Sequence, residues 1–145
     1  MRSRGFTLLE VIIVLVIGGL TMAMLVSFSG KGASSADLKA SARSLASGLR
    51  AAQSTAMAQR RDAVLTIDVD SREFSYSGEE RTHKLPDGVE LKLYTAQTEV
   101  ESQRKGSIRF YPDGSSTGGR ITVSSGERKF LVDVDWLTGR VAIND

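Results

Sequence analysis

Glu10 is the residue whose surroundings demand most of it. It stands four residues after Phe6 in the string Gly5-Phe6-Thr7-Leu8-Leu9-Glu10, and an apolar run from Val11 to Phe28 follows. A carboxylate within an apolar stretch long enough to cross a bilayer costs roughly 2.5–3.5 kcal/mol on insertion scales, so it is a functional residue by default and needs a partner. A free amine at the same depth would serve, and a cut just before Phe6 would supply it. The chemistry to expect is thus one cleavage and one pairing of opposite charges in lipid, not turnover of a substrate.

The remaining chemistry-bearing residues give weaker patterns. Asp68-Val69-Asp70 and Asp133-Val134-Asp135 each place two carboxylates on one strand face. A hard cation needs six or more converging oxygens, and both pairs are expected on solvent-facing sides, so ordinary polar alternation accounts for them. His83 is the single histidine and there is no cysteine, so a transition-metal site has no ligand set; Arg81-Thr82-His83-Lys84 reads as a loop. Serines are plentiful, but there is no nucleophile elbow and no base to serve one. Gly114–Gly119 lacks the Gly-Lys-Ser/Thr ending and following helix of a phosphate loop, and reads as a flexible bend near a subunit contact. The chain is accordingly read as a non-enzyme, with no cofactor and no metal.

The elements that must position Glu10 begin with its own helix. Phe6 to Phe28 is 23 residues, or about 34 Å at 1.5 Å per residue, enough to span some 30 Å of hydrocarbon with tilt. Arg2 and Arg4, with no further basic residue before Lys31, put the N-terminus in the cytoplasm and the remainder outside. Two other readings stay open on these residues alone. One is a secretory signal peptide cleaved within Gly32–Ala36, giving a mature start near Asp37; it leaves Glu10 unexplained and its apolar run is overlong. The other is a plain single-pass anchor.

Formal charge is +2 over 145 residues, and it comes from the leader: without Arg2 and Arg4, 17 basic residues face 17 acidic ones. Nucleic-acid binding is therefore not favoured by charge, since Arg104, Lys105, Arg109 and Arg120 are interleaved with Glu99, Glu101 and Asp113. The lack of cysteine means that a domain outside the cytoplasm must hold together by packing.

After Ser29–Ser35, where two glycines should loosen or break the helix, the pattern turns amphipathic from Ala36 to Arg61. Leu38, Ala42, Leu45, Leu49, Ala52 and Ala56 recur at spacings of four and three as a core stripe, while Lys39, Arg43, Arg50, Gln53 and Arg60 fall elsewhere on the surface. Beyond Arg61 the period is two. Strands are expected at Ala63–Asp70, Phe74–Ser77, Val89–Leu93, Ile108–Tyr111, Ile121–Ser124, Phe130–Trp136 and Val141–Asn144, with an exposed loop over Ala96–Gly106. Within Phe130–Trp136, the residues Phe130, Val132, Val134 and Trp136 are expected on one face. The fold class is α+β: a long N-terminal helix, transmembrane then amphipathic, packed on antiparallel sheets.

The string from the basic leader through Glu10 into the apolar run resembles the N-terminus of the type IV pilin and type II secretion pseudopilin superfamily. Ile108–Gly119 and Val134–Val141 are similar to the glycine-rich segment and closing hairpin of the H-type minor pseudopilins (GspH) and the related FimT-like minor pilins. The resemblance implies four divisions: a prepilin leader (1–5), a transmembrane and fibre-core helix (6–29), an amphipathic periplasmic helix (30–62) and an antiparallel β domain (63–145). It implies cleavage by a prepilin peptidase between Gly5 and Phe6, N-methylation of Phe6, and a Glu10 that accepts the amine of a neighbouring subunit's Phe6 during assembly. The implied protein is a minor pseudopilin near the tip of a type II secretion pseudopilus, with other pseudopilins and an inner-membrane assembly platform as partners. It would be single-pass in the bacterial inner membrane with its C-terminal domain in the periplasm. The alternative is a FimT-like minor type IV pilin serving pilus assembly or DNA uptake.

Overall fold

The computed structural model describes residues 7–28, 32–95 and 104–145, with the side chains of 24–28 outside that description. The chain divides into two compact units, Met1–Lys31 and Gly32–Asp145. In the first, helix α1 spans Leu8–Phe28. Thr7 starts it: the Glu10 amide reaches the Thr7 carbonyl at 3.0 Å, and the Val11 amide does so at 3.2 Å.

In the second unit, α2 spans Ser35–Gln59. Its start is fixed by a capping box. The Asp37 amide donates to Ser34 Oγ at 3.1 Å, and the Ser34 amide donates to Asp37 Oδ2 at 3.0 Å, which satisfies two otherwise orphaned donors. The Ser34 hydroxyl, which donates to Asp37 Oδ2 at 2.7 Å, and then the Ser34 amide hold the Asp37 carboxyl below its ordinary range. Arg60 ends the helix in a left-handed conformation, φ 51°.

Among the described residues eight strands follow: β1 (Ala63–Asp68), β2 (Glu73–Tyr76), β3 (His83–Lys84), β4 (Glu90–Thr95), β5 (Lys105–Phe110), β6 (Gly119–Ser125), β7 (Arg128–Val134) and β8 (Val141–Asn144). They form two antiparallel four-stranded sheets, ordered β3-β2-β1-β5 and β4-β6-β7-β8. Helix α2 packs on both. All six residues of the expected stripe, Leu38 to Ala56, are fully buried, and Ser41, Ala46 and Gly48 widen it. They meet Leu65, Ile67, Phe74, Ile108, Phe110, Ile121, Val123 and Val132 in one core.

Five expectations need correction. The strand read as Ala63–Asp70 stops at Asp68, whose Oδ1 accepts the amides of Asp70 and Ser71 at 3.1 Å each and turns the chain. His83 is not in a loop but in β3, paired with Phe74 on β2. The strand at Ile108 begins earlier, because Lys105 and Gly106 pair with Asp68 and Ile67; residues 96–103 of the expected loop lie outside the described residues. Trp136 does not continue the inward alternation of β7: it lies past the strand end and is 66% exposed. Gly114–Gly119 is no flexible bend, as the bonds below show.

Candidate functional site

Two places carry the expected functional residues. In the first unit, Glu10 lies in the first turn of α1, where a carboxylate is favoured by the helix dipole. The helix around it has no polar side. Leu8, Leu9, Ile12, Ile13, Val14, Leu15, Val16 and Ile17 are all exposed, so apolar side chains face every direction. A helix apolar all round needs an apolar surrounding, in lipid or in a protein core. Thr21 fits either: its hydroxyl donates to the Ile17 and Gly18 carbonyls at 3.0 and 2.9 Å, so no donor is left over. The α1 backbone runs 21 residues, about 31 Å at 1.5 Å per residue. Its described side chains end at Ala23, and among the described residues no helix is long and apolar enough to cross a membrane. Gly5 and Phe6 lie outside the described residues.

The second place joins the glycine-rich segment to the closing hairpin. Gln53, expected merely on the surface, clamps both to α2: its Nε2 donates to the Gly114 carbonyl at 2.8 Å and the Thr138 carbonyl at 3.1 Å. The Ser116 amide donates to the Trp136 carbonyl at 2.8 Å and Ser116 Oγ to the Asp135 carbonyl at 2.9 Å. Thr117 and Arg109 exchange two bonds, and the Tyr111 amide reaches the Ser115 carbonyl at 2.9 Å. Gly139 sits so close that a Cβ there would overlap the Gly114 carbonyl oxygen and Gln53 Nε2, and its φ is +64°. Glycine is required at that position on both counts. The residues flanking Ala52 in the buried stripe were the available sequence signal for Gln53, since its helix angle puts it at the edge of that stripe.

The carboxylate pairs are spent on neighbours. Asp68 faces Lys105 at 3.5 Å, Asp70 faces Arg104 at 3.1 Å, and Asp133 takes Arg120 and the Asn144 amide group. Asp135 Oδ1 accepts the Leu137 and Thr138 amides at 3.0 and 2.8 Å, and the Thr138 bonds pull its carboxyl below the ordinary range. His83 stacks on Phe74 and Tyr76, with ring centroids 4.9 and 5.8 Å apart, and its Nε2 lies 3.1 Å from Glu79 Oε2. Hydrogen bonds from Tyr76, then from His83, lower the Glu79 carboxyl. That cluster ties the short β3 to its sheet. The outer face of the second sheet forms an open concavity of about 1260 Å³ with Tyr94 and Trp136 exposed in it. In it Arg120 pairs with Asp133, and Asp135 is engaged by the turn that follows it.

The family described as type II transport protein GspH matches residues 41–138, from the α2 stripe through the closing turn, and the prokaryotic N-terminal methylation motif matches residues 1–26. The chain belongs to the GspH family. Membership makes it a pseudopilin of type II secretion, in a family of structural rather than catalytic proteins. The type II secretion system protein H of Xanthomonas campestris pv. campestris is 30% identical over 140 residues, covering 97% of this chain and 82% of that one. Among solved structures, the minor pseudopilin EpsH from the type 2 secretion system of Vibrio cholerae superposes with a TM-score of 0.59 at 15% identity, over 74% of this chain and 96% of that one. The type IV minor pilin FimU of Pseudomonas aeruginosa gives 0.57 at 15% identity, over 74% and 92%. At such identities these two likenesses establish the pilin-like α+β fold and nothing more.

Proposed function

We propose that this protein is a minor pseudopilin, built into a type II secretion pseudopilus that helps move folded proteins across the outer membrane. The observation that carries the reading is a single chain in which a GspH domain over residues 41–138 follows a methylation motif over residues 1–26. In this reading the prepilin peptidase removes residues 1–5 by cutting between Gly5 and Phe6, and Phe6 becomes the methylated N-terminus. Residues 6–29 span the inner membrane once with the N-terminus in the cytoplasm, and then form the fibre core. Residues 30–62 and 63–145 stand in the periplasm as the amphipathic helix and the β domain. Partners are the other pseudopilins and the inner-membrane assembly platform, and the protein has no catalytic task.

Glu10 is the assembly residue. Pairing with a neighbour's Phe6 amine compensates two buried charges at once, and the pair forms only at one stagger, so it sets register. Glu10→Ala should leave cleavage after Gly5 intact and abolish incorporation into sheared fibres, measured by the size of the processed band and by its recovery with fibres; normal recovery removes the role.

The test of the function is the amount of exoprotein reaching the medium in the source bacterium lacking this gene. Secreted enzymes held in the periplasm, with twitching and DNA uptake unchanged, support type II secretion. Normal secretion with failed pilus functions would favour the minor-pilin reading.

A further inference from the structure

The concavity on the outer face of the second sheet is built from cross-strand rows. Tyr94 of β4, Arg120 of β6, Asp133 of β7 and Ala142 of β8 stand opposite one another in one row, with Lys92, Thr122 and Leu131 in the next. Tyr94 and Trp136 are both exposed in it. The Trp136 backbone is fixed: its carbonyl accepts the Ser116 amide at 2.8 Å, and Asp135 Oδ1 accepts the two amides that follow. Gly118 admits it closely, since a Cβ there would lie 3.0 Å from Trp136 Cβ. Beside Tyr94, Arg120 is held by Asp133, whose other oxygen takes Asn144 Nδ2 at 2.9 Å. The charges lining the concavity balance: Lys92, Arg120, Lys129 and Arg140 stand against Glu90, Glu127, Asp133 and Asp135, four of each.

We propose that this face binds an uncharged sugar chain, the glycan strand of the cell wall, with Tyr94 and Trp136 as stacking rings and Arg120 and Asp133 as the polar pair that bonds its hydroxyls. A pyranose ring has faces of C–H groups and a rim of hydroxyls. The C–H faces carry partial positive charge and lie on the negative face of an aromatic ring. The rim meets side chains that already fix one another and so lose little freedom on binding. An open concavity admits a polymer passing through it, and a lining without net charge suits an uncharged one. The alternatives fit less well. Nucleic acid needs an excess of cations to exchange for its counterions, and this lining has none. The centre of a protein interface is depleted of charge, whereas Lys92, Arg120 and Asp133 stand in the middle of these rows. The cell wall as source rests on the pseudopilin reading, which puts the domain in the periplasm; the binding chemistry does not.

Trp136 is the only tryptophan of the chain, so indole emission reports this site alone. The test titrates the full chain, in a detergent without a sugar headgroup, with the β-linked hexamer of N-acetylglucosamine, and sediments it with purified cell-wall sacculi. The expected result is a saturable blue shift with half-saturation below about 1 mM, together with co-sedimentation that the hexamer reverses. Tyr94→Ala, at an exposed position on the sheet edge, should weaken the binding roughly tenfold. Leu137→Ala, exposed but outside the concavity, should leave it unchanged. No saturable shift, an equal shift with heparin or a duplex oligonucleotide, a shift without binding to sacculi, or full affinity in Tyr94→Ala overturns the proposal. Because all of this is read on the isolated chain, its failure leaves the secretion test of the type II reading untouched, and a failed secretion test leaves the sugar titration readable.

Discussion

Helices α1 and α2 are of similar length, 21 and 25 residues, yet they solve opposite problems. Along α1 the apolar side chains point everywhere and the one charge, Glu10, stands among them. Along α2 the apolar side chains form one face, fully buried against two sheets, and the charges stand on another. The difference teaches that a helix pattern reports its surroundings more than its backbone. Where the surroundings are apolar all round, periodicity vanishes and a single carboxylate becomes conspicuous. Where a core lies on one side, the 3.6-residue period appears and single polar residues are unremarkable.

The comparison breaks first at the core. Leu49 is fully buried under the sheets, whereas Leu15 on α1 is 70% exposed within its unit. Leu49→Ala should cost roughly 2–5 kcal/mol of domain stability. Leu15→Ala should leave the domain's unfolding midpoint unchanged, as measured by urea titration of the detergent-solubilised chain. Equal shifts would mean that the two helices share one folding unit.

The glycines sharpen the same contrast. A Cβ at Gly48 would lie 2.9 Å from Phe74 Cε2 and 3.1 Å from Leu65 Cδ1, while Gly18 and Gly19 have nothing within 4 Å in this chain. Gly48→Ala should therefore destabilise the domain by about 1–3 kcal/mol through overpacking, despite alanine's better helix propensity. Gly18→Ala should leave domain stability alone, so that any effect it has on fibre recovery reports a contact with another helix. A stabilised Gly48→Ala domain would show that the helix can shift away from the first sheet.

What could be read in the sequence follows from this contrast. Patterns that repeat were legible: the unbroken apolar run, the Leu38–Ala56 stripe, and the alternation of Ala63, Leu65 and Ile67. Features defined by a tertiary partner were not. β3 is two residues long and exists because His83 stacks on Phe74, which no alternation announces. Gly106 has no side chain to show that it pairs with Ile67. Trp136 has the right parity for β7, but Asp135 turns the chain first by capping the Leu137 and Thr138 amides. The glycines of Gly114–Gly119 suggested freedom, whereas the chain uses them to bring backbone groups within bonding distance of Gln53 and the closing turn. For Glu10 the situation is reversed: it is legible from one dimension because its misfit with its neighbours is local.

Gln53 offers a smaller break. Its two bonds are the link from α2 to the Gly114 and Thr138 carbonyls, and each is worth about 0.5–1.5 kcal/mol net. Gln53→Ala should lower stability by roughly 1–2 kcal/mol and speed amide exchange at Ser116 and Gly139, while exchange within α1 stays unchanged. Unchanged exchange in both loops would assign the clamp to their own turn bonds.

The smallest effect is expected from acid, and it separates the turn carboxylates from the core. The carboxyls of Asp113 and Asp135 lie below their ordinary value of 3.8, held there by bonds from Ser115 and Thr138 respectively. A carboxyl depressed in the folded state binds fewer protons folded than unfolded. Its contribution is therefore complete above the unfolded value and is lost as pH falls through the lowered folded one. Domain stability should be insensitive to these two groups between pH 7 and 5, and should decline below about pH 4. Because both side chains are solvent-exposed, the decline is expected to be modest and graded. Asp113→Asn with Asp135→Asn should flatten that limb of the urea-midpoint profile while leaving the pH 5–7 plateau in place. A profile as steep as that of the unsubstituted chain would move the acid sensitivity to the Asp37 cap and Asp68, whose carboxyls are lowered in the same way.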